Sequence, residues 1–387
     1  MRIISKTVLI LSVVSLLNDI ASEMLYPVIP VYLKEIGFTV LWIGLLEGLA
    51  NFTAGISKGY FGKMSDEKGL RLPFVKWGYI LSTISKPLIA LFIYPLWIFF
   101  VRTMDRLGKG VRTAARDALL SQAATKETKA RVFSFHRGMD TLGATVGPII
   151  ALLFLYFNPG QYKTIFLLAF IPGIISLVFL FLLKEKKQPV STIGKGNFIS
   201  FFKYWKVATP EYKKVVTGFI LLALFNSSDI FLLLKTKEVT GNDTLTIAAY
   251  IFYNFVYAAA SYPFGALADK FSLQKIFLSG LLLFAIVYAG FALNPSTVAI
   301  FILFFVYGLY AAANEGIIKA WISNIAHSEN TATAIGFYTS CESVCALFAS
   351  IIAGALWSGF GSAATFFITS AIALLVIVYF IVKSGWK

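Results

Sequence analysis

Twelve apolar stretches, separated by short polar segments, recur along the 387 residues. They run over residues 6–31, 39–61, 74–95, 97–120, 132–156, 164–183, 214–235, 244–267, 273–293, 297–323, 331–356 and 362–382. About 20 apolar residues carry a helix across a bilayer, so the pattern predicts twelve transmembrane helices and an all-α membrane protein. The longest polar stretch divides six spans from six, which predicts an N-terminal six-helix bundle over 1–183, a linker over 184–213 and a C-terminal six-helix bundle over 214–387. Within the linker, Phe198, Phe201, Phe202 and Trp205 alternate with Lys203 and Lys206. That pattern fits either a short amphipathic helix on an anionic membrane surface or an unstructured basic tether.

Composition agrees with the pattern. Hydrophobic residues make up 58% of the chain and charged residues 14%, against about 25% charged in an average soluble domain. Mean hydropathy is +0.78. The net charge of +15 would point a soluble protein towards nucleic acid, but here the basic residues collect in alternate loops. Lys63, Lys68 and Arg71, then Lys126, Lys129 and Arg131, then Lys184, Lys186 and Lys187, then Lys270 and Lys275 mark one side. The intervening loops carry little beyond Lys34, Lys163, Lys235 and Lys237. By the positive-inside rule both termini are expected in the cytoplasm, in the plasma (inner) membrane of a prokaryotic cell. No nucleic-acid partner is expected. The apolar start of the chain continues through Asp19 and Glu23 to Pro30 without a cleavage site, so it reads as the first span rather than a signal peptide. Cys341 and Cys345 share one helix face and read as packing residues, and His136 and His327 are too few for a zinc-type cluster.

The two halves repeat. Gly62 to Asp66 after span 2 reads Gly-Lys-Met-Ser-Asp, and Gly265 to Asp269 after span 8 reads Gly-Ala-Leu-Ala-Asp, a shift of 203 positions. The same shift places Asn51 on Asn254 and Glu47 on Tyr250, and a shift of 202 places Asp140 on Glu342. With the basic loop continuing through Glu67, Lys68, Gly69 and Arg71, this segment resembles the loop signature of the major facilitator superfamily. Glu67 stands where a basic residue is usual. Span 5 carries Gly143, Gly147 and Pro148, similar to the Gly-x-x-x-Gly-Pro signature of that superfamily's antiporter branches, with Ala151 in place of a further glycine. Arg106-Leu-Gly-Lys109-Gly110 in span 4 resembles its Arg-x-x-Gln-Gly signature, with Lys109 in the glutamine position. The resemblance covers essentially the whole chain. It implies two pseudo-symmetric bundles with a central cavity lined by spans 1, 4, 7 and 10, and a latch at Asp66 and Asp269 that closes the inner gate.

An ionised side chain at mid-bilayer costs roughly 2.5–3.5 kcal/mol, so such residues normally face a wet cavity or pair with one another. The candidate substrate or proton site comprises Asp19, Glu23, Glu47, Asn51, Lys86, Arg102, Asp105, Arg106, Lys109, Asp140, Asn226, Asp229, Tyr250, Asn254, Glu315 and Glu342. Asp19 and Glu23 stack one turn apart on span 1 and, with Arg106, lead this set. A carboxylate beside a guanidinium can take up and release a proton as its surroundings change. Tyr250, Tyr253, Asn254 and Tyr257 form an aromatic face that either packs or grips a solute. The gating set comprises Gly62, Asp66, Arg71, Arg112, Arg116, Gly143, Gly147, Pro148, Gly265 and Asp269, with Asp66 expected to accept from a helix N-terminus, from Arg112 or from Arg116.

The leading expectation is a proton-coupled antiporter that exports a small molecule by alternating access, working as a monomer among membrane lipids with no cofactor besides the proton. A symporter or facilitator of an anionic metabolite, using Lys86, Arg102, Arg106 and Lys109, is the alternative. Lipid or lysolipid transport and a non-transporting scaffold or sensor also remain open. No Gly-x-x-x-x-Gly-Lys-Ser/Thr loop occurs, so neither an enzyme nor an ATP-driven pump is expected.

Overall fold

The computed structural model describes residues 4–187, 199–226 and 228–384 and is helical almost throughout. Span 1 is built from Lys6–Leu25 and Val28–Glu35, span 2 from Val40–Lys68, span 3 from Leu72–Leu88, span 4 from Pro95–Gln122 and span 5 from Lys129–Phe157. Tyr162–Leu168 and Phe170–Phe181 form span 6, and Pro210–Ala223 and Ile230–Thr240 form span 7. Asp243–Lys270, Leu273–Ala292 and Thr297–Ile325 are spans 8, 9 and 10. Spans 11 and 12 share the run Thr331–Ser384, broken at Gly361, whose φ of +84° turns the chain between them. Hydroxyl or amide side chains start several helices: Ser5, Thr39, Thr209, Asn242, Ser272 and Ser296 each accept from the amide three residues on.

Among the described residues, seven helices are long and apolar enough to cross a membrane, the last covering both spans 11 and 12. Spans 3, 4 and 7 fall outside that set for visible reasons. Span 3 has only 17 residues, span 4 carries Arg102, Asp105, Arg106, Lys109, Arg112, Arg116 and Asp117, and span 7 is interrupted between Ala223 and Ile230. A lone span of such charge would not partition into lipid, so these helices depend on apolar neighbours and on internal pairing.

The chain divides into two compact units. One consists of Met1–Ala124, Met139–Lys206 and His327–Ser340, the other of Thr125–Gly138, Val207–Ala326 and Cys341–Lys387. Each unit thus takes one segment from beyond its half of the sequence: the start of span 11 belongs to the first, and the start of span 5 to the second. Inside the first, spans 2 and 3 both pack along span 4, and span 1 along span 6. Inside the second, spans 8 and 9 pack along span 10, and Phe380 of span 12 lies against Gly218 of span 7. The same partner scheme in both is what a duplicated sequence builds.

One local expectation is sharpened and one corrected. The linker contains a 3-10 turn, Ser200–Lys203, running into the helical turn Tyr204–Val207, with part of its aromatic face packed on protein. Phe201 and Tyr204 are buried, Phe201 sits over Gly59 of span 2, and the Trp205 ring stacks on Phe337 of span 11 with centroids 5.6 Å apart. An aromatic face suits a greasy protein groove as well as a bilayer, and Gly59, lacking a side chain, supplies the groove. Phe198 lies outside the described residues. Lys235 is not a loop lysine: it is buried in the middle of Ile230–Thr240, donating to Glu238 at 3.0 Å and to Ser362 Oγ at 3.1 Å.

Candidate functional site

In the first unit, Asp19 and Glu23 occupy successive turns of span 1 and are both half-buried. Span 5 reaches them through its glycines. A β-carbon at Gly143 would stand 2.7 Å from the Leu16 carbonyl oxygen and 3.0 Å from Asp19 Cβ, and one at Gly147 would stand 2.8 Å from the Ile20 carbonyl oxygen and 3.0 Å from Glu23 Cβ. Only glycine permits that approach, so the Gly143 to Pro148 motif seats directly on the turn that carries both carboxylates. Span 4 supplies the opposing charge. Lys109 and Arg112, together with Asp140, act on Asp19, and Lys109 and Arg106 act on Glu23. Arg106 is half-buried and Lys109 exposed.

The remaining span 4 charges turn into the bundle and pair there. Asp105 has Lys86 Nζ at 3.6 Å and Arg102 Nη1 at 3.7 Å, and it accepts from Ser82 Oγ at 2.8 Å. Lys86 also donates to the Ser82 carbonyl at 2.8 Å. These three charges, with Ser22 and Ser85, line a void of about 10 Å³, room for one water. Two helical turns beyond Asp105, Arg112 donates to Ser82 Oγ and lies over the Tyr79 ring at 4.4 Å. Arg116 donates to Ser15 Oγ at 3.0 Å and to Asp117, and stands 4.0 Å from Asp140, which accepts from Ser15. The structure therefore brings Lys86, Arg102, Asp105, Arg112, Arg116 and Asp140 together as a buried ladder behind the half-exposed Asp19, Glu23 and Arg106. Asn51 is exposed on span 2, and the Glu47 side chain lies outside the described residues.

The second unit gathers its charges at the break in span 7. Asp229, half-buried at the start of Ile230–Thr240, accepts from the Tyr307 hydroxyl at 2.6 Å, and Asn226 faces the Tyr310 hydroxyl at 3.4 Å. Interrupted spans are where membrane transporters commonly place ligand-binding groups. Arg137 of span 5 donates from Nε to the Tyr257 hydroxyl at 2.6 Å and stands 3.7 Å from Glu315. Tyr253, Tyr257, Tyr307 and Tyr310 are buried as a packed bed beneath these groups, with Tyr250 half-buried at its edge. Asn254 is buried and donates to the Tyr250 carbonyl at 3.0 Å, within its own helix, and Glu342 is half-buried on span 11.

Each unit has a buried carboxylate at its basic end that accepts from the first turn of another helix. Asp66 accepts from the Thr333 amide and hydroxyl at the first turn of span 11 and from Arg71 Nη2. Its expected partners Arg112 and Arg116 are instead engaged deeper, with Ser82, Ser15 and Asp117. Burial pushes the Asp66 carboxyl up to about 6, against the lowering effect of Arg71 and the Thr333 hydrogen bonds. Gly62 lies one turn before it, with no room for a side chain: a β-carbon would stand 2.6 Å from the Ala332 carbonyl oxygen. In the second unit Asp269 accepts from the Ala130 and Arg131 amides and from Arg131 Nε at the first turn of span 5. Burial raises its carboxyl as well, opposed by Arg131. Gly265 lies against Ser134.

Sequence reasoning passed over Arg137, Tyr307 and Thr333. Arg137 gave the same signal as its neighbours, a charge inside an apolar run, whereas Thr333 looks like any helix-start hydroxyl until its partner 267 residues away is known.

Known proteins agree with this architecture. The chain is 34% identical over 362 residues to an uncharacterized MFS-type transporter of Methanocaldococcus jannaschii, covering 92% of this chain and 89% of that protein. It is 23% identical to a multi-drug resistance efflux pump PmrA homolog of Lactococcus lactis, over 83% of this chain and 81% of the other. Its fold matches the crystal structure of the human organic anion transporter MFSD10 with a TM-score of 0.82, at 15% identity, over 97% of this chain and 98% of that one. The sequence profile of the Major Facilitator Superfamily matches residues 11–253 and 215–385. This chain is a multi-pass membrane transporter that belongs to the Major Facilitator Superfamily.

Proposed function

We propose that the protein is a proton-coupled antiporter that exports a small solute by alternating access, with Asp19 and Glu23 as the proton-carrying carboxylates. The observation that carries this reading is the contact of Gly143 and Gly147 with the Asp19 and Glu23 turn, beside the half-exposed Arg106 and the exposed Lys109. A carboxylate whose basic neighbours change between two conformations binds a proton in one and yields it in the other. At 100 mV one translocated charge supplies about 2.3 kcal/mol, close to a fifty-fold concentration ratio, so a single proton is a sufficient driving ion. Efflux is the activity named for the Lactococcus lactis relative, and drug resistance is named for the multidrug resistance protein MdtG of Escherichia coli, which is 21% identical. The basic loops support a reading in which the Asp66 and Asp269 end and both termini lie on the cytoplasmic side. In this reading the protein works as a monomer in the inner membrane and needs no cofactor.

The burial of Lys86 and Arg102 against Asp105 favours the antiport reading over the anionic-metabolite alternative. The test begins with a thermal-shift screen of purified protein, which identifies a stabilising solute. That solute is then loaded into proteoliposomes under an imposed pH gradient. Movement against the proton flux supports antiport, and Asp19→Asn and Glu23→Gln are each expected to abolish pH-driven movement while leaving the thermal shift in place. Undiminished pH-driven transport in both variants rules the two carboxylates out of the coupling.

A further inference from the structure

We propose that the first turns of spans 2 and 4, and those of spans 8 and 10, form a duplicated pair of binding sites for a hydrocarbon chain of a phospholipid, in the leaflet remote from each unit's basic end. Each site belongs to one unit and has no part in the coupling reading.

In the first unit a groove of about 630 Å³ is walled by Trp42, Leu46 and Leu49 of span 2, by Pro95, Leu96 and Phe99 of span 4 and by the loop over residues 36–39. In the second unit a groove of about 460 Å³ is walled by Phe252 of span 8 and by Thr297, Val298, Phe301, Ile302 and Phe305 of span 10. The two correspond through the sequence repeat. A shift of 203 places Leu49 on Phe252, and a shift of 202 places Pro95, Leu96 and Phe99 on Thr297, Val298 and Phe301. Among the described residues no charged side chain lines either groove. Duplication has therefore kept an apolar concavity at one place in both halves.

The dimensions suit a lipid tail. Residues 297–305 extend about 12 Å along the helix axis, close to the roughly 15 Å of hydrocarbon in one leaflet. Leu49, Leu96 and Phe99 are exposed along the first groove, with Leu46 buried behind them. Val298, Ile302 and Phe305 are exposed along the second, where the Phe252 ring meets Phe301 and Phe305 at 6.0 and 6.5 Å. Inside a bilayer the hydrophobic effect does not choose between apolar surfaces, so packing decides occupancy. An unfilled concavity forfeits the dispersion contacts of its walls, and a flexible chain restores them. The mouth suits the other end of a phospholipid. Trp42 and Tyr94 are exposed there, as aromatic residues at headgroup level are. Lys34, exposed in the last turn of Val28–Glu35 just before the loop over 36–39, offers an ammonium to a lipid phosphate. The shift of 203 puts Lys237 at the same place in the second half, in the last turn of Ile230–Thr240.

The experiment counts and locates bound lipid on the full chain in nanodiscs of equal parts phosphatidylcholine and phosphatidylglycerol. Native mass spectrometry counts the lipids that survive removal of bulk lipid, and phosphatidylglycerol with a diazirine in its acyl chain maps their position by cross-linked peptides. Two retained phospholipids are expected, with cross-links concentrated on residues 42–49 and 96–99 in one unit and 298–305 in the other. Leu49→Trp and Ile302→Trp, which fill the first and second grooves, should each lower cross-linking in their own groove at least about ten-fold and leave the other unchanged. Val178→Trp, at an exposed position on span 6, should change neither. Lys34→Gln should weaken phosphatidylglycerol retention at the first groove about five-fold. The cross-link map of the parent needs no variant, so poor folding of a tryptophan variant leaves the test intact. Cross-links spread evenly over the lipid-facing helices, span 6 included, or no retained lipid, overturn the proposal. A dimer without lipid in the grooves assigns them to a second copy, and loss of the cross-links on adding the stabilising solute assigns them to the transported molecule; either result overturns it as well. No readout uses a proton gradient, so failure of the Asp19 and Glu23 coupling in proteoliposomes is a separate result.

Discussion

The Thr333 amide and hydroxyl both donate to Oδ2 of Asp66, at 2.7 and 2.9 Å, while Arg71 Nη2 holds the other oxygen at 2.8 Å. Arg71 is 1% exposed, so removing its partner leaves a buried cation without a counter-charge. Losing one member of such a pair costs about 3–5 kcal/mol, far more than the pair itself contributes. Asp66→Ala is therefore expected to destabilise the protein by about that amount. The double variant Asp66→Ala, Arg71→Met should recover part of the loss, because the stranded charge is gone. Unfolding of the parent, both singles and the double in mixed micelles closes the cycle; additive losses would show that the two residues do not act as a pair.

Lys129 gives a pH signature of opposite origin. Burial, with a smaller push from Lys126, lowers its ammonium from 10.5 to about 8 in the folded protein. Between pH 8 and 10.5 the folded state then binds fewer protons than the unfolded state, so this group makes stability rise with pH across that window and contributes its full penalty below it. Lys129→Met should flatten that rise. Melting temperatures at pH 7.5, 9 and 10 check it, and an unchanged slope in the variant assigns the pH dependence elsewhere.

Phe201 packs its ring where a side chain on Gly59 would have to stand, 2.5 Å from the β-carbon position, and stacks on Phe202 at 4.4 Å. Burying a Phe contributes about 3–5 kcal/mol by truncation series, enough to decide whether an eight-residue element stays docked. Phe201→Ala should raise amide exchange over residues 202–207 by at least about ten-fold, and Gly59→Val should reproduce the effect from the other side of the contact. Exchange unchanged in both would mean that the linker is held by Trp205 on Phe337 instead.

The spans were legible because crossing a bilayer demands some 20 apolar residues, a constraint no tertiary contact overrides. The charges were legible for the same reason, each standing out against lipid-compatible neighbours. What the sequence does not carry is direction around the helix axis combined with partner identity. Asp105 and Arg106 are adjacent in span 4, yet one turns inward to Lys86 and Arg102 while the other stays half-exposed near Glu23. Asp66 finds one partner five residues on and another 267 residues on, and nothing in the loop signature distinguishes these from Arg112. The linker was ambiguous because its aromatic face fits lipid and a glycine groove equally, and only the fold brings Gly59 beneath it.

Gly147 offers the sharpest test of the carboxylate turn. A β-carbon there would stand 2.8 Å from the Ile20 carbonyl oxygen, 2.9 Å from the Met24 amide nitrogen and 3.0 Å from Glu23 Cβ. None of these atoms is the end of a flexible side chain, so span 1 itself must shift to admit a methyl group. Overpacking of this kind costs about 1–3 kcal/mol, which leaves the protein folded but displaces Glu23 relative to Arg106 and Lys109. Gly147→Ala is expected to lower pH-driven solute movement at least about ten-fold with only a modest fall in melting temperature. Gly48→Ala, at a position with nothing within 4 Å, should transport like the parent and stabilise span 2 slightly. Parent-level transport in Gly147→Ala would show that the exact seat of span 5 on the carboxylate turn is dispensable, and would remove the observation on which the antiport reading stands.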